Sequence, residues 1–239
     1  MEYKEKKSIS IYVEFPLTTD QFGEGVSMVI WTTTPWTLPA NQGIAAHPLF
    51  DYVVGVFEKS VEKDGETLVT TKKLVVAKQL IETFEQKTGF ALKETLQQLK
   101  GAELEGLEAQ HPFLERTSKL INANFVTTEA GTGAVHIAPG HGADDYSAGM
   151  QNGLEVHSPV DDEGKYTEEC GIPDLVGEHV FDCNVPIIKI LAAKSHLLGK
   201  ENLRHSYPHC WRSKTPIIFR AVNTISPPLR QPVDLIDLL

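Results

Sequence analysis

Apolar and polar residues alternate over Ser10 to Phe15, Tyr52 to Phe57 and Leu68 to Ala77, a period of two that predicts half-buried strands. Lys63-Asp64-Gly65-Glu66 has tight-turn composition, so the last two strands read as a hairpin. Val26-Ser27-Met28-Val29-Ile30 reads as a further strand, leading into a loop. Leucines and polar residues at helical spacing over Gln79 to Gln86 and Leu92 to Leu99, stopped by Gly89 and Gly101, predict two peripheral helices. Asn124 to Thr128 and Ala134 to Ile137 read as strands either side of a Gly131-Thr132-Gly133 turn, and a helix is expected over about Ala143 to Asn152. Val185 to Leu198, closed by Gly199, predicts another helix, and strand character resumes from Thr215 to Arg220. Strands outnumber helices without regular strand-helix alternation. The expected fold is therefore mixed α/β, a barrel-like, mainly antiparallel β core with peripheral helices.

Size and charge narrow this picture. With 239 residues, 41% of them apolar, the chain is expected to form one domain with a full core. A net charge of −10 argues against a protein that coats nucleic acid non-specifically, though it leaves room for a local basic contact. One candidate is Lys200, Arg204, Arg212, Lys214 and Arg220, with His205 and His209 among them; a solvated face is the plainer reading. Cys170, Cys183 and Cys210 include no Cys-x-x-Cys, so neither a disulfide framework nor a zinc knuckle is indicated and a reducing cytoplasm fits best. The charged amino terminus lacks an apolar signal core, and no apolar run approaches the roughly 20 residues of a membrane span. A soluble, cytoplasmic monomer is expected.

Two stretches carry candidate chemistry. In Trp31-Thr32-Thr33-Thr34-Pro35-Trp36-Thr37-Leu38-Pro39-Ala40-Asn41, hydroxyls, indoles and a carboxamide crowd behind a strand, and the prolines are expected to exclude helix and give a shaped loop. In Gly131 to Tyr146, glycines permit close backbone approach, His136 ends an apolar strand, and Asp144 and Asp145 fall in the first turn of the next helix, where the macrodipole favours carboxylates. Each residue also has a plainer role: a β-branched strand end for the threonines, a satisfied core position for His136, a helix cap for Asp144 or Asp145. A metal site at His136, His141 and Asp145 is not expected, because Pro139 and Gly140 break the helix that His-x4-His pairing requires. The Gly-Thr-Gly turn lacks the lysine and spacing of a phosphate loop; there is no Gly-x-Ser-x-Gly, and the internal threonines lack the free amine of a terminal-threonine nucleophile.

Those two stretches, with His205-Ser206-Tyr207-Pro208-His209-Cys210-Trp211-Arg212 and Pro216-Ile217-Ile218-Phe219-Arg220-Ala221, resemble the editing domain of isoleucyl-tRNA synthetase, the insertion in a class I catalytic domain, over about Ser10 to Val222. In the valyl and leucyl relatives an arginine normally follows the paired threonines, where this chain has Thr34. The resemblance implies hydrolysis of valine from mischarged tRNA(Ile), with isoleucine excluded by size, no cofactor, and the 3′ terminus of tRNA(Ile) and the rest of the synthetase as partners. It implies that Asp145 takes the substrate's α-ammonium and that His136 borders the side-chain pocket, where isoleucine's extra methyl collides with it. On the same resemblance Thr32, Thr33 and Thr34 match the family's hydroxyl-bearing wall, Asn41 its loop asparagine, and Gly133 and Ala134 the shared turn. Trp31 and Trp36 are either packing residues or terminal-adenosine contacts, and no general base is assigned.

The His-x-Gly-His and Lys-Met-Ser-Lys-Ser signatures of a complete synthetase are absent, so no amino-acid activation is expected. The editing domain is expected over residues 1–222, with 223–239 a divergent or appended tail. The alternative is a module that binds aminoacyl-tRNA or an amino acid without turnover.

Overall fold

A computed structural model describes residues 2–222; the tail expected at 223–239 lies outside the described residues. β1 (Glu2–Pro16) and β2 (Val26–Thr32) pair antiparallel, with Tyr12 opposite Trp31. β2 is covered on both sides: Met28 and Ile30 enter the main core, and Val29 and Trp31 join a second apolar cluster with Tyr12 and Phe84. That double burial explains an almost uninterrupted apolar run. After the short β3 (Gly43–Ala46), the long hairpin of β4 (Asp51–Lys63) and β5 (Glu66–Ala77) closes through Asp64 and Gly65, both at positive φ, as its Asp-Gly sequence predicts. α1 (Ile81–Thr88) then buries Phe84 and ends on Gly89 in the left-handed conformation.

The second predicted helix is a strand. β6 (Ala91–Lys100) pairs antiparallel with β4, and its leucines divide between environments: Leu99 is buried in the main core, Leu92 packs on the second cluster, and Leu96 is exposed. Their helical spacing is coincidental, because cross-strand pairing beside Gly55 overrides it.

β7 (Glu108–Gln110), β8 (Thr117–Asn122) and β9 (Ala134–Ile137) build the second sheet with β3. The strand expected at Asn124 to Thr128 is irregular; pairing ends at Asn122 opposite Ala46. α2 (Ala143–Asn152) forms as expected. α3 (Asn184–Ala193) stops earlier than predicted, because Ser195 takes positive φ and Leu197 already begins β10 (Leu197–His209). Thr215 to Arg220 supplies only an isolated bridge, His209 opposite Pro216.

The six-stranded sheet has the order β10-β1-β2-β5-β4-β6 and the four-stranded sheet the order β7-β8-β3-β9. Only β2 with β5 and β3 with β8 run parallel among the named pairs. The fold is the expected strand-rich α/β class, but the barrel-like core is two open sheets, with β10 and β6 as edges of the larger one. The Gly131-Thr132-Gly133 turn joins them: Thr132 donates its hydroxyl to the Val29 carbonyl (2.6 Å), and its carbonyl accepts the Ala77 amide (2.9 Å). Those bonds set β9, and with it His136, against the end of β2.

Candidate active site

Thr32 is the last residue of β2, and Pro35–Ala40 turns immediately into a 3-10 helix, contrary to the expectation that its prolines exclude helix. Pro35 occupies the first position, where its fixed φ fits and no donor is needed. Pro39 withholds the amide that would bond the Trp36 carbonyl, and the Tyr166 hydroxyl donates to that carbonyl instead. The turn carries Thr37 back over Thr34: the Thr37 amide donates to the Thr34 carbonyl at 3.0 Å and the Thr37 hydroxyl to the same oxygen at 2.8 Å.

Trp31, Thr32, Thr33 and Thr34 meet His136 and Asp145 across a cleft of about 320 Å³, with Thr37, Val135, His141 and Gly142 completing the lining. Thr32 Oγ1 accepts the Thr34 amide (3.1 Å) and lies 3.3 Å from Thr34 Oγ1, which is 3.4 Å from Thr37 Oγ1. Thr37 Oγ1 is 3.0 Å from His136 Nε2. Because the Thr37 proton goes to the Thr34 carbonyl, its oxygen accepts from Nε2–H, which assigns the His136 tautomer. Nδ1 is then an acceptor, buried and without a partner among the described residues. Burial drives the His136 pKa down to about 4, so the ring is neutral at pH 7.

Asp145 stands in the first turn of α2, and its Oδ2 accepts the Ala138 amide at 2.9 Å. Burial, reinforced by Asp144, raises its pKa to about 6 despite that hydrogen bond. A half-buried carboxylate so poorly compensated is suited to receive a ligand's cationic group. His141 and Trp36 meet edge to face (ring centroids 5.2 Å apart), and His141 Nδ1 lies 2.9 Å from the Phe219 carbonyl. His136, His141 and Asp145 thus share the cleft, but among the described residues no three ligating side chains are placed to hold a metal ion.

The structure brings Trp31, Thr32, Thr33, Thr34, His136 and Asp145 together but not the other sequence candidates. Asn41 is completely buried, donating to the Gly43 carbonyl (2.8 Å) and accepting from Ser118 (2.5 Å), and so holds the chain after the turn. Gly133 and Ala134 are also buried away from the cleft. Gly133 lies so close to Ala77 that a Cβ would come within 2.4 Å of the Ala77 Cβ, and Ala134 pairs with Ala46. Trp36 belongs to the main core. Thr37, which sequence reasoning passed over, is the hydroxyl that touches His136; its three-residue separation from Thr34 was the available signal. In the basic cluster, Lys214 pairs with Glu2 and Arg220 with Asp162, so two of its charges are compensated.

The family of leucyl-tRNA synthetase editing domains matches residues 52–175, which include His136 and Asp145. This chain belongs to that editing-domain family. Among its relatives, the isoleucine–tRNA ligase of Persephonella marina is 49% identical over 92% of this chain, and that of Thermotoga maritima 48% identical over the same share. The chain spans 22% of the length of each of these relatives. The cytosolic leucyl-tRNA synthetase editing domain of P. falciparum superposes with a TM-score of 0.59 at 10% identity, covering 83% of this chain and 99% of that one. That of P. knowlesi gives 0.56 at 11% identity, covering 84% and 97%. The two solved editing domains carry the likeness of fold, and the ligases carry the likeness of sequence.

Proposed function

We propose that the domain hydrolyses the valyl ester of tRNA(Ile) and rejects the isoleucyl ester by size. The observation that supports this is the convergence of the threonine loop, His136 and Asp145 on one cleft. A hydrophobic pocket separates ligands differing by one methylene by only about 1–3 kcal/mol, a limit for which isoleucine and valine are themselves the standard example. A second site that excludes the larger ligand by overlap escapes that limit. His136 suits such a wall: it is buried, neutral and tied to Thr37.

The reaction is attack of water on an ester carbonyl, releasing valine and the ribose hydroxyl. An ester is already activated, so positioning and oxyanion stabilisation matter more than a strong nucleophile. Asp145, ionised above about pH 6, binds the α-ammonium and orients the ester toward the hydroxyls of Thr32 to Thr34. His136 is poorly placed as general base: Nε2 already carries a proton, Nδ1 is closed to solvent, and a pKa of about 4 gives little basicity at pH 7. The catalytic residues proposed are accordingly Asp145 and the three threonines, with His136 setting specificity.

Deacylation of Val-tRNA(Ile) and Ile-tRNA(Ile) by this chain tests the reading. Valyl ester should be cleaved and isoleucyl ester spared, and His136→Ala should begin to cleave the isoleucyl ester. No valyl cleavage above background would sink the proposal, and unchanged discrimination in His136→Ala would remove the steric role.

A further inference from the structure

Behind the threonine wall is a second cleft, of about 220 Å³, which Thr33 and Thr34 also line. Its other walls include Lys6 of β1, Tyr207 of β10, Phe181 and Asn184. Asn184 fixes them relative to the loop: its Oδ1 accepts the Trp36 amide and its Nδ2 donates to the Phe181 carbonyl, both at 3.1 Å. Lys6 Nζ lies 3.7 Å from the Phe181 ring centroid and 4.3 Å from that of Tyr207, and the two rings meet edge to face at 6.2 Å.

Lys6 differs from the ion-paired lysines. Lys72, Lys87, Lys100, Lys165 and Lys214 each meet a carboxylate, whereas among the described residues Lys6 meets aromatic faces and no carboxylate. The aromatic contacts hold the ammonium at one place, and half-burial strengthens its pull on an anion. Lys7 lines the same cleft, and His205 and Arg204 of β10 pair opposite Lys6 and Lys7, so this is a local basic spot in a chain of net charge −10.

A positioned cation, aromatic rings and hydroxyls around a small cleft form a recognition set for single-stranded nucleic acid, with the ammonium for phosphate and ring faces or edges for a base. The shared Thr33-Thr34 segment puts this set one loop thickness from the cleft assigned to the ester. We propose that the Lys6–Phe181–Tyr207 cleft binds the nucleotide preceding the acylated terminal nucleoside, with Lys6 on its phosphate. The proposal rests on the hydrolase reading of the neighbouring cleft, and it adds the route by which the RNA strand enters.

The test uses a fluorescent RNA oligonucleotide ending in CCA, titrated by anisotropy at several salt concentrations, alongside deacylation of Val-tRNA(Ile) and of valyl-adenosine. Lys6→Gln keeps most of the side-chain length and removes the charge; Lys93→Gln, on exposed β6, controls for net charge. Removing one phosphate contact to a single strand lowers the slope of log affinity against log salt by about 0.7. Lys6→Gln should show that change and a higher KM for Val-tRNA(Ile), with valyl-adenosine cleavage unaltered and Lys93→Gln matching the unsubstituted chain. An unchanged slope overturns the proposal, as does equal loss on valyl-adenosine, which would trace the effect to the ester cleft. If no ester is cleaved by any variant yet the slope still falls in Lys6→Gln alone, the nucleotide site stands and the hydrolase reading fails.

Discussion

His136 and His111 are both buried imidazoles, and one lone pair separates their roles. His111 places Nε2 3.0 Å from the Leu38 carbonyl, and its Nδ1 accepts the Leu114 amide at 3.1 Å, so both nitrogens are satisfied inside the fold. His136 uses Nε2 on Thr37 and, among the described residues, leaves Nδ1 without a partner. A buried acceptor left unsatisfied costs about 1–3 kcal/mol. Motif and resemblance singled out His136 in the sequence, and the hydrogen bonds now separate it from His111 physically. Thr37 maintains the difference. Thr37→Val should remove the acceptor from Nε2–H, lower stability by about 1–3 kcal/mol and shift the ring toward the Nδ1–H tautomer. Thr37→Ser should preserve the hydroxyl and the tautomer. Nitrogen-15 chemical shifts of the His136 ring report this directly, and an Nδ1–H ring in the unsubstituted chain would refute the assignment.

At the level of elements, what the sequence revealed depended on whether one side of each segment faced solvent. The β4–β5 hairpin was legible because Asp64-Gly65 has turn composition and β-branched residues flank it on both strands. β10 was not, because it is an edge strand whose half-buried positions mix Leu203 and Tyr207 with Glu201 and His205, so its alternation left little hydrophobic signal. β3 is four residues of uniformly buried Gly, Ile and Ala, too short and too even to show a period. The threonine loop, His136 and Asp145 were identifiable through motif and resemblance, whereas the inward turning of Asn41, Gly133 and Ala134 depends on packing between sheets. Gly133 shows how tight that packing is. It sits at φ +77°, its carbonyl accepts the Tyr52 hydroxyl at 2.6 Å, and an added Cβ would come within 2.4 Å of Ala77. Gly133→Ala should cost about 2–4 kcal/mol from positive-φ strain together with overpacking. Because β9 starts at the next residue, the displacement should reach His136 and reduce valyl cleavage in the fraction still folded. Denaturant midpoints and deacylation rates measured on the same samples check both parts; a fully stable, fully active variant would contradict the packing argument.

Over the whole molecule, the buried histidines and Asp145 oppose one another in the dependence of stability on pH. His136 and His111 have pKa values lowered by burial from 6.5 to about 4 and about 3, and His141 shifts in the same direction. Between pH 6.5 and 4 the unfolded chain binds protons at these positions that the folded chain does not, so their effect is a stability that falls as pH falls. Asp145 acts oppositely. Its pKa rises from 3.8 to about 6, so in that interval the folded chain holds a proton the unfolded chain lacks, and acidification stabilises the fold through this group. Each unmatched proton changes stability by about 1.4 kcal/mol per pH unit. With at least two histidines against one aspartate, stability should still decline from pH 6 to 4. Asp145→Asn removes the opposing group while keeping an oxygen for the Ala138 amide, so the decline should steepen by up to about 1.4 kcal/mol per pH unit. At pH 8 the same variant should be at least as stable as the unsubstituted chain, because a buried charge has been removed, yet it should lose valyl cleavage with the α-ammonium contact. Denaturant unfolding of both proteins across pH 4 to 8 measures the slopes. Parallel curves would mean that Asp145 is already ionised through this range, in which case its burial does not set its charge and the carboxylate needs no ligand to compensate it.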